Sequence, residues 1–173
     1  MSASPKTVEY LDGVAYAKVS PKIPHWIVQA NLLRIVSRCA GDRGLAGPEL
    51  HVRPGRIDKT DTVFVPDIAF VSWERLRSLR PSDRQEPASP DIAIEIRSPN
   101  NRQAYLRAKI ERLLATGTLL VLDVDPKART IAACDGKTER TFASRETFEH
   151  PAAEWLRFET SEAFVHLDEL EPD

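Results

Sequence analysis

Cysteine is scarce in this chain: Cys39 and Cys134 stand far apart, with no CxxC pair and no matching histidine spacing. That excludes a disulfide framework and a zinc knuckle. No apolar run approaches the roughly 20 residues that a membrane-crossing helix needs. The opening MSASPKTVEY lacks the apolar core of a secretory leader, so the expectation is a cytoplasmic protein. Basic charge is not in excess either: 24 Lys and Arg against 26 Asp and Glu give a formal net charge of −2. This argues against a generally basic nucleic-acid coat but leaves room for a local basic groove. Repeats and low-complexity stretches are absent. What remains, 173 residues with 42% hydrophobic and 29% charged side chains, suits one globular domain spanning 1–173.

The charge is unevenly spread. Arginine supplies 17 of the basic residues, several of them between Arg75 and Arg112, whereas the last 25 residues are strongly acidic. Guanidinium forks suit phosphate oxygens, although a solvated surface explains the same pattern.

Patterning predicts an α/β chain. A short element from Thr7 turns at Asp12-Gly13 into an alternating strand that runs to Val19. Pro24 and His25 open a helix with Val28, Leu32, Ile35, Val36 and Cys39 on one face, and Gly41 stops it. The Gly- and Pro-punctuated GDRGLAGPEL follows, then a strand near Leu50–Val52. Thr62–Ser72 reads as a strand bent at Pro66, because proline cannot donate to a ladder. Ser72 is placed to cap a short helix carrying Trp73, Leu76 and Leu79. Asp91–Arg97 alternates strictly, with Ile92, Ile94 and Ile96 on one face and Asp91, Ala93, Glu95 and Arg97 on the other. A helix from about Arg102 to Ala115 buries Leu106, Ile110, Leu113 and Leu114, and Leu119–Val124 is a buried strand. Strand, helix and buried strand form a parallel crossover. Short strands around Ile131 and Phe142 follow, and the remainder is expected against the sheet edge. The predicted class is α/β, a mixed central sheet flanked by helices.

Acid inside apolar strands is the chemically odd feature. Asp67 follows a proline in one strand and Glu95 is centred among isoleucines in the next. A buried carboxylate is costly unless it is paired or metal-bound. Taken singly, each is better explained by a nearby arginine. Together, Pro-Asp in one strand and Glu-Ile-Arg (Glu95 to Arg97) in the following one match the PD-(D/E)XK arrangement. There, carboxylates on adjacent strands hold a divalent ion with open water positions.

Longer stretches carry a further likeness. EYLDG (Glu9–Gly13), SPKIPHWIVQANL (Ser20–Leu32), VPDIAFV (Val65–Val71), PDIAIEIRSPN (Pro90–Asn100), Lys109 in LRAKIERLLATG and VLDVDP (Val121–Pro126) occur in order. On these segments the chain resembles the Uma-two family of restriction-endonuclease-like proteins, within the PD-(D/E)XK superfamily. The match runs over roughly residues 7 to 135, with a weaker echo in FVHLDEL. The resemblance implies that Asp67 and Glu95 are metal ligands for Mg²⁺ or Mn²⁺. It implies that Lys109 is the motif lysine moved from strand to helix, acting as a point charge or a water-orienting group. Arg97 keeps the original basic position as an electrostatic stabiliser. Glu9 and His25 would line the cavity mouth, His25 being equally well read as a helix-start residue. Asp91 more simply sets the strand entry. Four positions depart from the pattern: Tyr105 stands where an Asp is usual, Leu113 where a Tyr is common, and Leu120 and Leu122 where Glu and Trp are common.

The resulting expectation is a Mg²⁺-dependent endonuclease that hydrolyses DNA phosphodiester bonds. Its partners would be nucleic acid, not membrane, and a second copy in a homodimer. The alternative is a catalytically inactive nuclease-fold module that only binds.

Overall fold

The computed structural model describes residues 8–18, 22–53, 62–81, 87, 89–98 and 103–170. Thr7, Val19, Ser20, Pro21, Pro99, Asn100 and Arg102, which fall within the segments read above, lie outside the described residues.

The chain begins with a hairpin, β1 (Val8–Leu11) and β2 (Val14–Ala17), in the register Leu11↔Val14 and Glu9↔Tyr16. Its turn needs two residues with positive φ, and Asp12 (51°) and Gly13 (80°) supply them. Helix α1 (Ile23–Ala40) follows with Pro24 in its first turn. It buries Val28, Leu32, Ile35 and Val36 as predicted, together with His25, Asn31 and Ala40, while Cys39 is only partly covered.

The main sheet has six strands in the order β3-β4-β5-β6-β7-β8: Gly44–Pro48, Ile68–Ser72, Ile92–Ile96, Leu120–Asp125, Thr130–Cys134 and Glu139–Ala143. Neighbours are antiparallel except β5 and β6, which are parallel across the helix α3 (Gln103–Ala115). Three expectations need correction. The strand placed near Leu50–Val52 is only a bridge from Val52 to Phe64, and the edge strand lies instead in the glycine-rich Gly44–Pro48. A Cβ at Gly44 would stand 2.2 Å from the Val71 carbonyl oxygen, so that strand needs its glycine for close approach. Thr62–Ser72 is not one strand: Val63 and Phe64 make isolated bridges and β4 starts after Pro66. Finally, the C-terminal part packs on the edge strand through Phe148 against Phe142 of β8, but it is not confined to that edge. Phe148, Leu156, Phe158, Ala163 and Phe164 join α1 and the isoleucines of β5 in one core.

Ser72 caps the short helix α2 (Trp73–Ser78) by accepting from the Arg75 amide. The alternation in β5 divides the interior. Ile92, Ile94 and Ile96 face α1, whereas Ala93 packs with Leu106, Ile110 and Leu113 of α3. Glu95 therefore faces α3. No helix among the described residues is long and apolar enough to cross a membrane.

Candidate active site

Proline makes the first half of the site. Continuing the β4–β5 ladder from Ile68↔Ile94 would set Pro66 opposite Ile96, and Pro66 has no N–H to give. The ladder stops there, and the Asp67 carboxylate takes up the strand's own donor: its Oδ2 accepts the Ile96 amide at 2.8 Å. The same oxygen lies 3.2 Å from His25 Nε2, and Oδ1 lies 3.0 Å from Lys18 Nζ. Lys18 also donates to the Val65 carbonyl, and Gln29 of α1 donates to the Asp67 carbonyl. Burial alone would raise the Asp67 carboxyl, but His25, Lys18 and the Ile96 amide hold it well below the usual carboxylate range.

The second half is built on α3. Lys109, one turn along the helix from Tyr105, is 2% exposed. Its Nζ donates to Glu9 Oε1 at 2.6 Å and to Glu95 Oε2 at 2.8 Å. Glu9, delivered by β1, is itself fixed: Oε1 accepts the Val65 amide and Oε2 accepts the Tyr105 hydroxyl. The Tyr105 ring stacks on Tyr16, the residue that the hairpin register sets opposite Glu9. Glu95 Oε1, although close to the ammonium, has no hydrogen-bond partner. The Glu95 carboxyl is pushed up to about 8: burial raises it most, Lys109 offsets part of that rise, and Asp67 and Glu9 add repulsion. For Lys109 the balance is reversed: burial would lower it, yet the two glutamates hold it protonated above its ordinary range.

These groups line a cavity of about 420 Å³ that takes in Glu9, Lys18, His25, Asp67, Glu95 and Lys109. The structure thus brings five of the six proposed residues together. Arg97 sits apart. Its guanidinium binds Asp123 through two hydrogen bonds, at 2.8 and 2.7 Å, and Asp125 at 3.3 Å, on the wall of an adjoining cavity. Asp91, as expected, pins the strand entry by accepting from the Ser72 amide and from Arg75.

Two further members of the site, Lys18 and Tyr105, escape the sequence reading. Lys18 had a signal, since it shares the parity of Tyr16, which the hairpin register sets opposite Glu9. Tyr105, which the pattern marks only as a departure from the family, supplies the hydrogen bond that holds Glu9. The other departures are absorbed elsewhere: Leu113, Leu120 and Leu122 are wholly buried core residues.

A carboxylate just before β4, another in β5, a lysine on the following helix and a parallel crossover between β5 and β6 are the arrangement that the sequence leads one to expect. The model of the Uma2 family, described as "Putative restriction endonuclease", matches residues 2–159. The chain belongs to the Uma2 family. No curated protein matches it. Among solved structures it is similar to one described as "a putative nuclease belonging to DUF820" from Anabaena variabilis ATCC 29413. The TM-score is 0.77 and the identity 24%, over 93% of each chain. At that identity the likeness shows the fold, an α/β nuclease-like core. For this Uma2 chain, the family points to a nuclease, whose substrate class is nucleic acid.

Proposed function

We propose that this Uma2 chain is a metal-dependent endonuclease that hydrolyses phosphodiester bonds in DNA. One observation carries the reading: Glu95 Oε1 is a buried carboxylate oxygen without a hydrogen-bond partner, in a cavity that also holds Asp67. Lys109 Nζ lies 2.8 Å from it but is shared with Glu9, so the three carboxylates of the site still outnumber its two lysines and leave room for a further cation. The donors fit a hard ion. They are carboxylate oxygens without cysteine, which suits Mg²⁺ or Mn²⁺ rather than zinc. No group of three or more His, Cys, Asp and Glu among the described residues is arranged to hold a metal. That also fits Mg²⁺, which is ordinarily held by one or two carboxylates together with waters and substrate phosphates. Asp67 and Glu95 would hold the ion, which when bound polarises a phosphate oxygen and acidifies its water.

The chain's own residues prepare the site. Lys18 and His25 keep Asp67 ionised. Glu9, steadied by Tyr105, orients Lys109. Because Lys109 is held protonated, it acts as a fixed positive charge for the phosphate oxygens and not as a base. Arg97, committed to Asp123 and Asp125, ties the ends of β5 and β6 together. Cutting both strands with one site per chain calls for two copies, so a homodimer of cyclic symmetry belongs to the proposal.

A second reading, a module that binds without cutting, has one observation in its favour: Lys109 already neutralises Glu95. Melting curves with Mg²⁺, Mn²⁺ or EDTA, beside a plasmid-nicking assay, separate the two. The nuclease reading expects the wild type to melt higher with the ion and to nick, and Glu95→Gln to do neither. A wild type that neither responds to the ion nor nicks leaves only the binding module.

A further inference from the structure

We infer that the catalytic cavity continues into a nucleotide subsite, and that the preferred substrate carries an unpaired nucleotide beside the bond to be cut. The inference rests on the nuclease reading and names its substrate class. A second cavity, of about 770 Å³, adjoins the catalytic one and shares His25, Ser98 and Leu106 with it. It lies past the carboxyl ends of the parallel strands β5 and β6, where Ser98 and Pro126 follow, which is where open α/β sheets take ligands.

Its lining has the two characters a nucleotide needs. Leu106, Leu167, Pro24 and Pro126 offer an apolar surface for a base. Lys22, Arg97, Lys127 and Arg129 line it beside a single carboxylate, Asp125, so the lining carries more positive than negative charge. Arg97 and Arg129 are committed to aspartates, but Lys22 and Lys127 have no ion-pair partner among the described residues. His25, 8% exposed, links the cavities: Nε2 faces Asp67, while Nδ1 is buried with no hydrogen-bond partner. A base stacked and paired in a duplex cannot turn its face onto a recessed apolar wall. An unstacked one can, leaving its own phosphate to the lysines of this cavity and the next phosphate to Lys109 and the cation that Asp67 and Glu95 would hold.

The test measures binding in EDTA, where cleavage plays no part, by fluorescence anisotropy. An eight-residue oligothymidylate is compared with a sealed hairpin duplex of equal length. The wild type is expected to prefer the single strand at least tenfold. Lys127→Glu and Leu170→Glu, both at exposed lining positions, are each expected to weaken single-strand binding threefold or more and to erase the preference. Equal binding of the two probes, or variants that bind like the wild type, overturns the subsite. A second measurement needs no variant: thymidylate titrated into the wild type should shift the amide resonances of Ser98, Gln103 and Lys127. Shifts confined to other regions overturn the proposal. Strand preference without any Mg²⁺-dependent nicking would refute catalysis and keep the subsite, while nicking without strand preference would do the reverse.

Discussion

At the scale of single residues the site is a charge balance: three carboxylates, Glu9, Asp67 and Glu95, against Lys18 and Lys109, with His25 beside Asp67. Glu95 is the costly member, and its titration gives a stability signature. In the unfolded chain a glutamate releases its proton near pH 4.3, whereas folded Glu95 keeps it up to about 8. Across that window the folded state holds a proton the unfolded state has lost, so stability falls as pH rises and the loss is complete above 8. Asp67 works in the opposite sense: its stabilisation is present above the ordinary carboxylate range and disappears as pH falls below it. Urea titrations from pH 5 to 8 should therefore show stability dropping by a few kcal/mol in the wild type. Glu95→Gln should be nearly flat over the same range, and a wild type equally flat would refute this account of Glu95. Lys109 behaves differently. Lys109→Met removes the cation shared by Glu9 and Glu95 and leaves both buried and unpaired. The expected cost is about 3–5 kcal/mol by equilibrium unfolding, well beyond what loss of a surface lysine would give. Removing its proton-bearing group therefore tests folding before it tests catalysis, and Glu95→Gln, which leaves the Lys109–Glu9 pair intact, is the cleaner probe.

At the scale of elements, what was legible in the sequence had a period. The long helix α1, the alternating β5 and the helix–strand step into β6 all carry spacings that burial imposes, and the structure has them where those spacings lie. What was not legible depends on partners distant in sequence. Gly44–Pro48 shows no alternation of apolar and polar residues and reads as a loop; only the close approach of β4 makes it a strand. The site was half-legible for the same reason. Asp67, Glu95 and Lys109 sit in recognisable motifs, but the partners that steady them come from a hairpin whose position against Val63 and Phe64 no local pattern reveals. That hairpin is a weak element. Two strands alone are marginal in water, and this pair is tied to the rest by the Tyr10–Val63 bridge and by Glu9. Gly13→Val puts a β-branched residue at φ 80° and strains the turn. Hydrogen exchange should then quicken at the Tyr10 and Val63 amides while β5 and β6 stay protected, and any Mg²⁺-induced rise in melting temperature should shrink. Unchanged exchange at Tyr10 would mean that the turn does not hold Glu9 in place.

At the scale of the whole molecule, a net charge of −2 must be reconciled with a polyanionic substrate. The fold does so by segregation. Much of the acid is spent on internal pairs, such as Arg97 with Asp123 and Asp125, or lies in the C-terminal part, whereas Lys22 and Lys127 line the cavity next to the carboxylate site. Among the described residues that line the two cavities, Lys22 and Lys127 are the cations left to displace counterions from a nucleic-acid backbone. With two to four phosphates neutralised per chain, the logarithm of affinity should fall against the logarithm of salt with a slope of about −2 to −4. Between 50 and 200 mM salt that is roughly a 10- to 300-fold loss, modest beside proteins that rely on a basic coat. The slope also reports assembly, because two copies gripping one duplex double the number of phosphates engaged. A homodimer should show a slope steeper than about −4 on a duplex long enough for both copies, and about half that on a short single strand. Light scattering at the same micromolar concentrations would register a mass near twice 19.4 kDa. A monomeric mass together with the same shallow slope on both substrates would rule out the dimer and confine the chain to one strand at a time.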